Sequence, residues 1–299
     1  MARGRMPAVH RFTVVICTRD RPDQLAASLA ALQAQTDRRF DILVVDQSAA
    51  ADRSLDDSRD LRVVRDPGRG LSRARNLALA ATDKEWIAFI DDDCLVDRTW
   101  AAEVNASIAR HPEVDFITGH VDEGDAPAED HVGAAARPIQ SERTLRGRWT
   151  GPEELGYGVM MVVRRATAQR LGGWDERLGA GTAPFPAGED MDFAFRLLRA
   201  GGAALATPSV RGCHQQWRSP AETVRLYRGY ARSDAAFAIK HLRTGDVLGG
   251  LWIWTRSVRE MLRVFVSSAR HRSPLRLRIA AVRFVGLAEG SISALRLRW

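Results

Sequence analysis

Trp86-Ile-Ala-Phe-Ile90-Asp91-Asp92-Asp93 runs five apolar residues straight into three carboxylates. A run so short and so uniformly apolar reads as a strand buried on both faces, with its charge delivered at the carboxyl end. Phe12-Thr-Val-Val-Ile-Cys17 has the same character and is followed by polar Thr18-Arg-Asp-Arg-Pro22 and a helical spacing at Leu25, Leu29 and Leu32. Asp41-Ile-Leu-Val-Val-Asp46 and Leu61-Arg-Val-Val-Arg65 are two further strands, and Pro67-Gly-Arg-Gly70 turns into a helix through Ala74, Leu77 and Ala81. Strands alternating with helices predict an α/β fold with a parallel sheet covered on both faces. In such sheets ligands sit at the carboxyl ends of the strands, here Thr18-Arg19, Asp46-Gln47-Ser48 and the Asp triplet.

Downstream, Gly124 to Gly151 carries Pro127, Pro138 and mixed charges and reads as an irregular insertion. Order returns at Tyr157-Gly-Val-Met-Met-Val-Val163, then a helix start at Arg164 and the turn Leu171-Gly-Gly-Trp-Asp175. A second helix begins near Gly188-Glu-Asp190, with Phe193, Leu197 and Leu198 on its apolar side and Gly201-Gly202 as its stop. A short strand, Ala203 to Thr207, precedes Pro208 and then Cys213-His214.

The 299 residues, 45% apolar and 27% charged, suit a folded globular chain with a sizeable core. Three cysteines, Cys17, Cys94 and Cys213, are an odd number without metal-type pairing, which excludes a disulfide framework and fits a reducing cytoplasm. The net charge of +7 is uneven: residues 221–299 hold 15 Lys+Arg against 5 Asp+Glu, whereas residues 1–220 hold 29 against 32. The main body therefore has no basic surplus for nucleic acid. Arg3, Arg5 and Arg11 precede an apolar run too short for a signal-peptide core, and the apolar stretch from Val247 to Trp254 runs into Arg256. No membrane-crossing segment is expected.

Three adjacent carboxylates at the end of an apolar strand need a cation or several donors. Oxygen-rich sites suit Mg²⁺ or Mn²⁺, which also bridge diphosphate oxygens. The structural alternative is a loop of solvated aspartates capping a helix near Asp97. Lys84 and Lys240 are the only lysines, and no Gly-Lys-Ser/Thr occurs, which excludes a P-loop and leaves a haloacid-dehalogenase phosphatase without its lysine. Cys17-Thr-Arg-Asp-Arg-Pro22 has no glycine for a dinucleotide-binding turn.

Taken in order, Val14-Val-Ile-Cys-Thr-Arg19, Val44-Val-Asp46-Gln-Ser48, Gly70-Leu-Ser-Arg-Ala-Arg75-Asn76, Phe89-Ile-Asp91-Asp-Asp93, Gly172-Gly-Trp-Asp175, Gly188-Glu-Asp190 and His214 resemble glycosyltransferase family 2 over about residues 10–215. The resemblance implies a GT-A fold, Rossmann-like with a mostly parallel central sheet. It also implies inverting sugar transfer from a nucleotide-diphosphate donor, UDP first and GDP or dTDP next, with Mn²⁺ or Mg²⁺. Carried over, Thr18 and Arg19 line the base pocket, Asp46 and Ser48 hold base or ribose, and Arg75 with Asn76 reaches a diphosphate or an aspartate. For Asp46 the alternative is a turn cap. Asp91 contacts ribose or base, Asp92 joins the nucleotide-sugar-binding residues although it points to the opposite face if the chain stays extended, and Asp93 and His214 ligate the metal. Asp190 is the catalytic base, with Glu189 and Trp217 supporting the acceptor side, while Asp192 reads as a helix-start charge. Arg73 reads as surface solvation. Two departures stand out: Tyr157-Gly158-Val159-Met160 replaces the usual acceptor-facing pair, and Gln215-Gln-Trp-Arg218 is not the Gln-x-x-Arg-Trp of processive synthases. Non-processive transfer of a single sugar is expected.

The domain reading is a catalytic unit over residues 1–220 and a basic amphipathic helical tail over 221–299. In the tail Leu251-Trp-Ile-Trp254, Val258, Met261, Leu262 and Phe265 form an apolar stripe opposite Arg256, Arg259 and Arg263, and Pro274 opens a second segment with Arg276, Arg278 and Arg283. Cationic, tryptophan-bearing helices suit an anionic bilayer surface, the alternative being packing on the catalytic unit. The expected partners are a nucleotide sugar, a glycan or lipid-linked acceptor and that membrane surface, with cytoplasmic location, a peripheral one at the cytoplasmic face. Two rival functions share these residues: a non-catalytic binder on the same fold, and a sugar nucleotidyltransferase. The second wants a glycine- and lysine-containing phosphate loop that residues 12–25 lack.

Overall fold

The structure is a computed structural model and describes residues 12–50, 61–125, 131–133, 136–155, 158–270 and 273–299. Arg3, Arg5, Arg11, Pro127 and Tyr157 lie outside the described residues.

The four apolar runs pair as predicted. β1 (Phe12–Thr18) lies parallel to β2 (Phe40–Asp46) and β4 (Trp86–Asp91), and β2 lies parallel to β3 (Leu61–Arg65). The register sets Thr18 opposite Asp46, Asp46 opposite Arg65 and Cys17 opposite Asp91, so the polar strand ends share one edge. α1 (Pro22–Gln33) and α2 (Leu71–Ala81) are the helices between them. β5 (Cys94–Val96), α3 (Trp100–Arg110), β6 (Phe116–Glu123), β7 (Val132–Gly133), β8 (Arg143–Leu145) and a 3-10 turn, Pro152–Leu155, follow. Then come β9 (Met160–Arg164), α4 (Arg165–Arg170), α5 (Glu189–Arg199), β10 (Ala204–His214) and β11 (Trp217–Arg218).

The main sheet runs β3-β2-β1-β4-β9-β6-β10-β5, with β8 on β10. β9 is antiparallel to both β4 and β6, so it turns the order back between strands that point the same way as β1. Alternation along β4 explains the two-sided core. Trp86, Ala88 and Ile90 pack with α1 and α3 side chains, among them Leu25, Leu29, Trp100 and Val104. Ile87 and Phe89 pack on the other face with Ala74, Ala78, Trp174 and Phe193. Trp174 stacks on Phe193 at 4.5 Å and meets Phe89 edge-on at 5.0 Å, so the Gly-Gly-Trp-Asp turn is pinned under the sheet. The GT-A arrangement is the one observed.

β10 corrects the short strand expected over 203–207. It continues through Pro208 because its register on β6 shifts between Thr207 and Arg211, where a residue without an N–H costs no ladder bond. The extension carries His214 to a position opposite Cys94, beside the aspartates.

The tail is three helices, α6 (Pro220–Arg243), α7 (Val247–Arg270) and α8 (Pro274–Leu295). Ser219 opens α6 with a capping box to Glu222. Phe237 of α6 meets Phe195 of α5 at 5.4 Å. Asp192, fully buried, pairs with Lys240 at 2.8 Å, His241 at 3.0 Å and Arg196 at 2.8 Å, and Lys240 reaches Asp175 at 2.7 Å. Asp192 is thus a bolt between α5 and α6, not a charge placed for the helix dipole. Gly286 and Gly290 let α8 lie against the α6 backbone; a Cβ on Gly290 would meet the Arg232 carbonyl oxygen at 2.3 Å. The tryptophans read as interfacial anchors face inward: Trp252 packs on Phe195 at 6.3 Å and Trp149 at 6.2 Å, and Trp254 packs beside Phe237 and Ala231. Leu251, Leu262 and Phe265 of the expected stripe do face outward, together with Val266 on α7 and Phe284 and Val285 on α8. Among the described residues no helix is long and apolar enough to cross a membrane.

Candidate active site

The chain leaves β4 at Asp91 and enters β5 at Cys94, so the triplet sits in a tight link at the sheet's carboxyl edge. Ser28 of α1, fully buried, fastens that link with its hydroxyl 2.7 Å from the Asp92 carbonyl and 3.0 Å from that of Cys94. Asp92 and Asp93 are buried, which disposes of the solvated-loop alternative, and α3 starts without a side-chain cap. His214 Nε2 lies 3.0 Å from Asp93 Oδ1 and 4.0 Å from Asp91 Oδ2, and one ligand atom from each of the three falls within 4.8 Å of the others. Two carboxylate oxygens and an imidazole nitrogen so gathered fit a divalent cation such as Mn²⁺ or Mg²⁺.

The Arg21 guanidinium bridges Asp92 Oδ1 and Asp93 Oδ2 at 2.6 Å each. Burial opposes charge at Asp93, but the His214 bond and the Arg21 charge outweigh it and hold the carboxyl well below its usual range. Burial wins at Asp92, pushing it up to about 6 despite Arg21 and the Thr18 hydroxyl, which donates to Asp92 Oδ2 at 2.8 Å. Burial also raises Asp91, against the pull of Arg75. The extended alternation does not persist through the link: Asp92 and Asp93 are both buried and share the Arg21 guanidinium, and Thr18 is turned in with Asp92.

Beside this cluster the predicted base-pocket residues form a shelf. Asp46 Oδ1 accepts the Ser48 N–H at 2.9 Å, the turn-cap geometry, while Oδ2 takes Arg65 at 2.9 Å. Ser48 Oγ accepts the Asp20 N–H at 2.8 Å, and Arg19 pairs with Asp20 at 3.3 Å. Gln47 and Arg73 converge on Asp66 at 2.8 Å, and the Arg73 bond holds Asp66 down at about 2. Arg73 is thus engaged rather than merely solvated. Asp66 was not singled out, although it follows β3 at the ligand-bearing edge.

Arg75 points into the protein, 1% exposed. It lies 3.0 Å from Glu189 and 4.0 Å from Asp91, and donates to the Gly158 carbonyl at 3.1 Å. A side chain at Gly158 would strike it at 2.5 Å, which explains the glycine there. Burial and the neighbouring Asp190 push Glu189 up to about 7, with Arg75 opposing. Asn76 turns away, bonding the Trp174 backbone at 2.9 and 2.8 Å, so it braces the Gly-Gly-Trp-Asp turn. Gly188, at φ 87°, starts α5, and Asp190 in its first turn meets the loop just before β9. There the carboxylate accepts the Gly158 N–H at 2.7 Å and the Met191 N–H at 2.8 Å. Trp217 sits where β11 pairs with β7, its ring N–H buried without a partner among the described residues. The structure thus brings Asp91, Asp93, His214, Arg75, Glu189 and Asp190 to one edge. Arg21 and Ser28, which sequence reading missed, hold the acidic link in shape.

A mixed sheet with an Asp-Asp-His cluster at its carboxyl edge and an acidic pair on the facing helix defines the GT-A class of fold. The description "Glycosyl transferase family 2" matches residues 13–172, a little over half of the chain, and the chain belongs to that family. It is 24% identical over 251 residues to the pre-mycofactocin glycosyltransferase of Mycobacterium tuberculosis, covering 79% of this chain and 49% of that protein. The chain thus spans about half the length of that relative. Among solved structures, the mannosyltransferase PcManGT from Pyrobaculum calidifontis, in complex with GDP-Man and Mn²⁺, superposes with a TM-score of 0.57 at 16% identity over 97% of this chain and 88% of its own. TarS 1-349 of S. aureus in complex with UDP-GlcNAc gives 0.55 at 15% identity over 96% of this chain and 92% of its own. Both likenesses concern the fold.

Proposed function

We propose that this chain transfers one sugar, with inversion, from a nucleoside-diphosphate sugar to a hydroxyl of a glycan or lipid-linked acceptor in envelope synthesis. UDP is the preferred carrier of the donor sugar and GDP or dTDP the next. The observation that carries this reading is the Asp91–Asp93–His214 cluster joined through Arg75 and Glu189 to Asp190. Asp190 removes the acceptor hydroxyl proton as that oxygen attacks the anomeric carbon and the bond to the diphosphate breaks. Gly158 and Met191 N–H groups fix the direction from which the carboxylate acts. Glu189 and Arg75 keep Asp190 and Asp91 in one frame. A divalent cation on Asp93 and His214, with Asp91 alongside, would supply positive charge for the departing diphosphate. Asp46, Ser48 and Arg19 border the nucleotide.

The tail supports a peripheral position at the cytoplasmic membrane face. Leu262, Phe265 and Val266 of α7 are exposed beside Arg259, Arg263 and Arg270, a mixture suited to anionic lipid. Flotation with anionic liposomes at low salt tests this, and failure to float refutes it. The transfer reading is tested by a thermal-shift panel of UDP, GDP, CDP and dTDP with and without Mn²⁺. One diphosphate should stabilise selectively and only with metal, by about 2.7 kcal/mol at a hundred times its dissociation constant. No shift with any nucleotide overturns it.

A further inference from the structure

The loop between β1 and α1 lays one side chain over the acidic link. Asp20 holds φ at 54°, the one non-glycine residue with a positive φ among the described residues. It is fastened there by its N–H, which donates to Ser48 Oγ at 2.8 Å, and by its Oδ1, which accepts the Ala49 N–H at 2.9 Å. Arg21 comes next and opens α1, its carbonyl accepting the Leu25 N–H at 3.1 Å and Pro22 setting the first turn. Its side chain takes no part in capping the helix; the fork reaches Asp92 Oδ1 and Asp93 Oδ2 instead, 2.6 Å from each. Gln216 Nε2 lies 3.5 Å from the same Asp93 oxygen. The other oxygen, Asp93 Oδ1, is the one turned to His214 Nε2 at 3.0 Å. Asp91 is divided in the same sense, Oδ1 toward Arg75 and Oδ2 toward His214, but at 4.0 Å on both sides. Arg21 is therefore the tight clamp, and Asp93 is the buried carboxylate that it divides.

We infer that Arg21 sets which divalent cation the cluster accepts: by occupying Asp93 Oδ2 it confines that carboxylate to a single oxygen toward the metal, which suits Mn²⁺ and Mg²⁺ and disfavours Ca²⁺. This deepens the transfer reading above and rests on it. Ca²⁺ gathers about six to eight oxygens and readily takes both oxygens of one carboxylate, whereas Mg²⁺ keeps to an octahedron of single oxygens, several of them water. The His214 nitrogen adds a preference for a transition ion over either. The clamp is held from behind. The Thr18 hydroxyl donates to Asp92 Oδ2 at 2.8 Å and Ser28 ties down the link's carbonyls, so the fork cannot swing off the pair without leaving a buried charge unpaired. Arg21 is a positioning residue, acting on the cation through Asp93.

The test titrates the full chain with MnCl₂ alone, following free Mn²⁺ by its paramagnetic resonance signal, and then displaces bound Mn²⁺ with CaCl₂ or with MgCl₂. Arg21→Met should move the Ca²⁺-to-Mn²⁺ affinity ratio toward Ca²⁺ by about tenfold, the low end of what an outer partner of a metal ligand is worth. Loss of a positive charge strengthens every divalent cation alike, so the ratio and not the affinity is the readout. The Mg²⁺-to-Mn²⁺ ratio should stay where it is, because neither ion uses the freed oxygen. Arg21→Lys should shift the Ca²⁺ ratio by about threefold, half the effect on a logarithmic scale, since one ammonium replaces a fork. Circular dichroism checks that each variant is folded, and if Arg21→Met is not, the lysine variant decides alone. A Ca²⁺ ratio unmoved in the folded variants, or Ca²⁺ and Mg²⁺ ratios that move together, overturns the role of Arg21 and leaves the transfer reading standing. An unaltered chain that binds no Mn²⁺ while a diphosphate still stabilises it overturns the metal assignment and Arg21's role with it. Absence of any diphosphate shift in the unaltered chain overturns the transfer reading itself.

Discussion

Replacing Arg75 by methionine tests how the buried half of the site is balanced. Its guanidinium, 1% exposed, is shared by Glu189 at 3.0 Å and Asp91 at 4.0 Å. Removing one partner of a buried pair costs about 3–5 kcal/mol when the remaining charge stays ionised. Glu189 has an alternative, because its carboxyl already titrates at about 7 with Arg75 in place. Without Arg75 it rises further, and near neutrality the variant protonates Glu189 instead of burying a bare charge. The cost must then depend on pH. A carboxyl raised from 4.5 to about 7 on folding contributes stability that is complete below 4.5 and is lost as pH rises through 7. In the wild type that loss ends just above pH 7. In Arg75→Met it continues, so the gap between the proteins widens by up to about 1.4 kcal/mol per pH unit until the variant's Glu189 ionises. Urea denaturation of both proteins across the range from mildly acidic to mildly alkaline measures the gap. Adding Glu189→Gln removes the nearer of the two carboxyls that Arg75 holds and should flatten most of the dependence, leaving the part that belongs to Asp91. A gap independent of pH, or one whose slope the double variant leaves undiminished, refutes the reasoning.

Asp190→Asn should lower transfer by at least about a hundredfold, read by release of labelled nucleoside diphosphate, and leave the metal-dependent thermal shift intact. Asp93→Asn and His214→Ala should each abolish the metal-dependent part of that shift, measured as the difference with and without Mn²⁺. Gly290→Ala places a methyl against the Arg232 carbonyl and should cost about 1–3 kcal/mol in urea melts, by forcing α8 off α6. Lys240→Met strips a cation from both Asp175 and Asp192. With Arg177, Arg196 and His241 remaining, the loss should fall toward the low end of about 3–5 kcal/mol.

Legibility divided along physical lines. Continuous apolar runs such as Val14–Ile16 and Ile87–Ile90 can only be buried strands when they are this short, and the sheet edge they define was readable with its aspartates. β9 was readable as a strand but not as an antiparallel one, because direction is set by where the chain returns and not by side-chain period. β10 was cut short at Pro208 since a register shift on β6 leaves no local mark. Asp190 and Glu189 were placed by their motif, whereas the Arg21 bridge depends on a loop folding over Asp92 and Asp93. The tail tryptophans misled for a similar reason: an amphipathic stripe shows that a face is apolar, not what covers it. Trp252 found Phe195 and Trp149 within the same chain.

The first turn of α5 shows why the tail cannot be treated as a separable anchor. Asp190 and Asp192, two residues apart, point to different sides of one helix. Asp190 is held by Gly158 from the turn that leads into β9, and Asp192 by Lys240 and His241 from α6. The charge on Asp192 is sustained against complete burial by the His241 bond and the Arg196 and Lys240 cations, which keep its carboxyl well below the ordinary range. A carboxylate so enclosed cannot shift without exposing an unpaired charge, so the helix that carries it is fixed relative to α6. The same helix start carries the proposed base. Rigidity purchased on one side of α5 is therefore spent on the other: the contacts that seat the C-terminal helices also set where Asp190 stands relative to Asp91, Asp93 and His214.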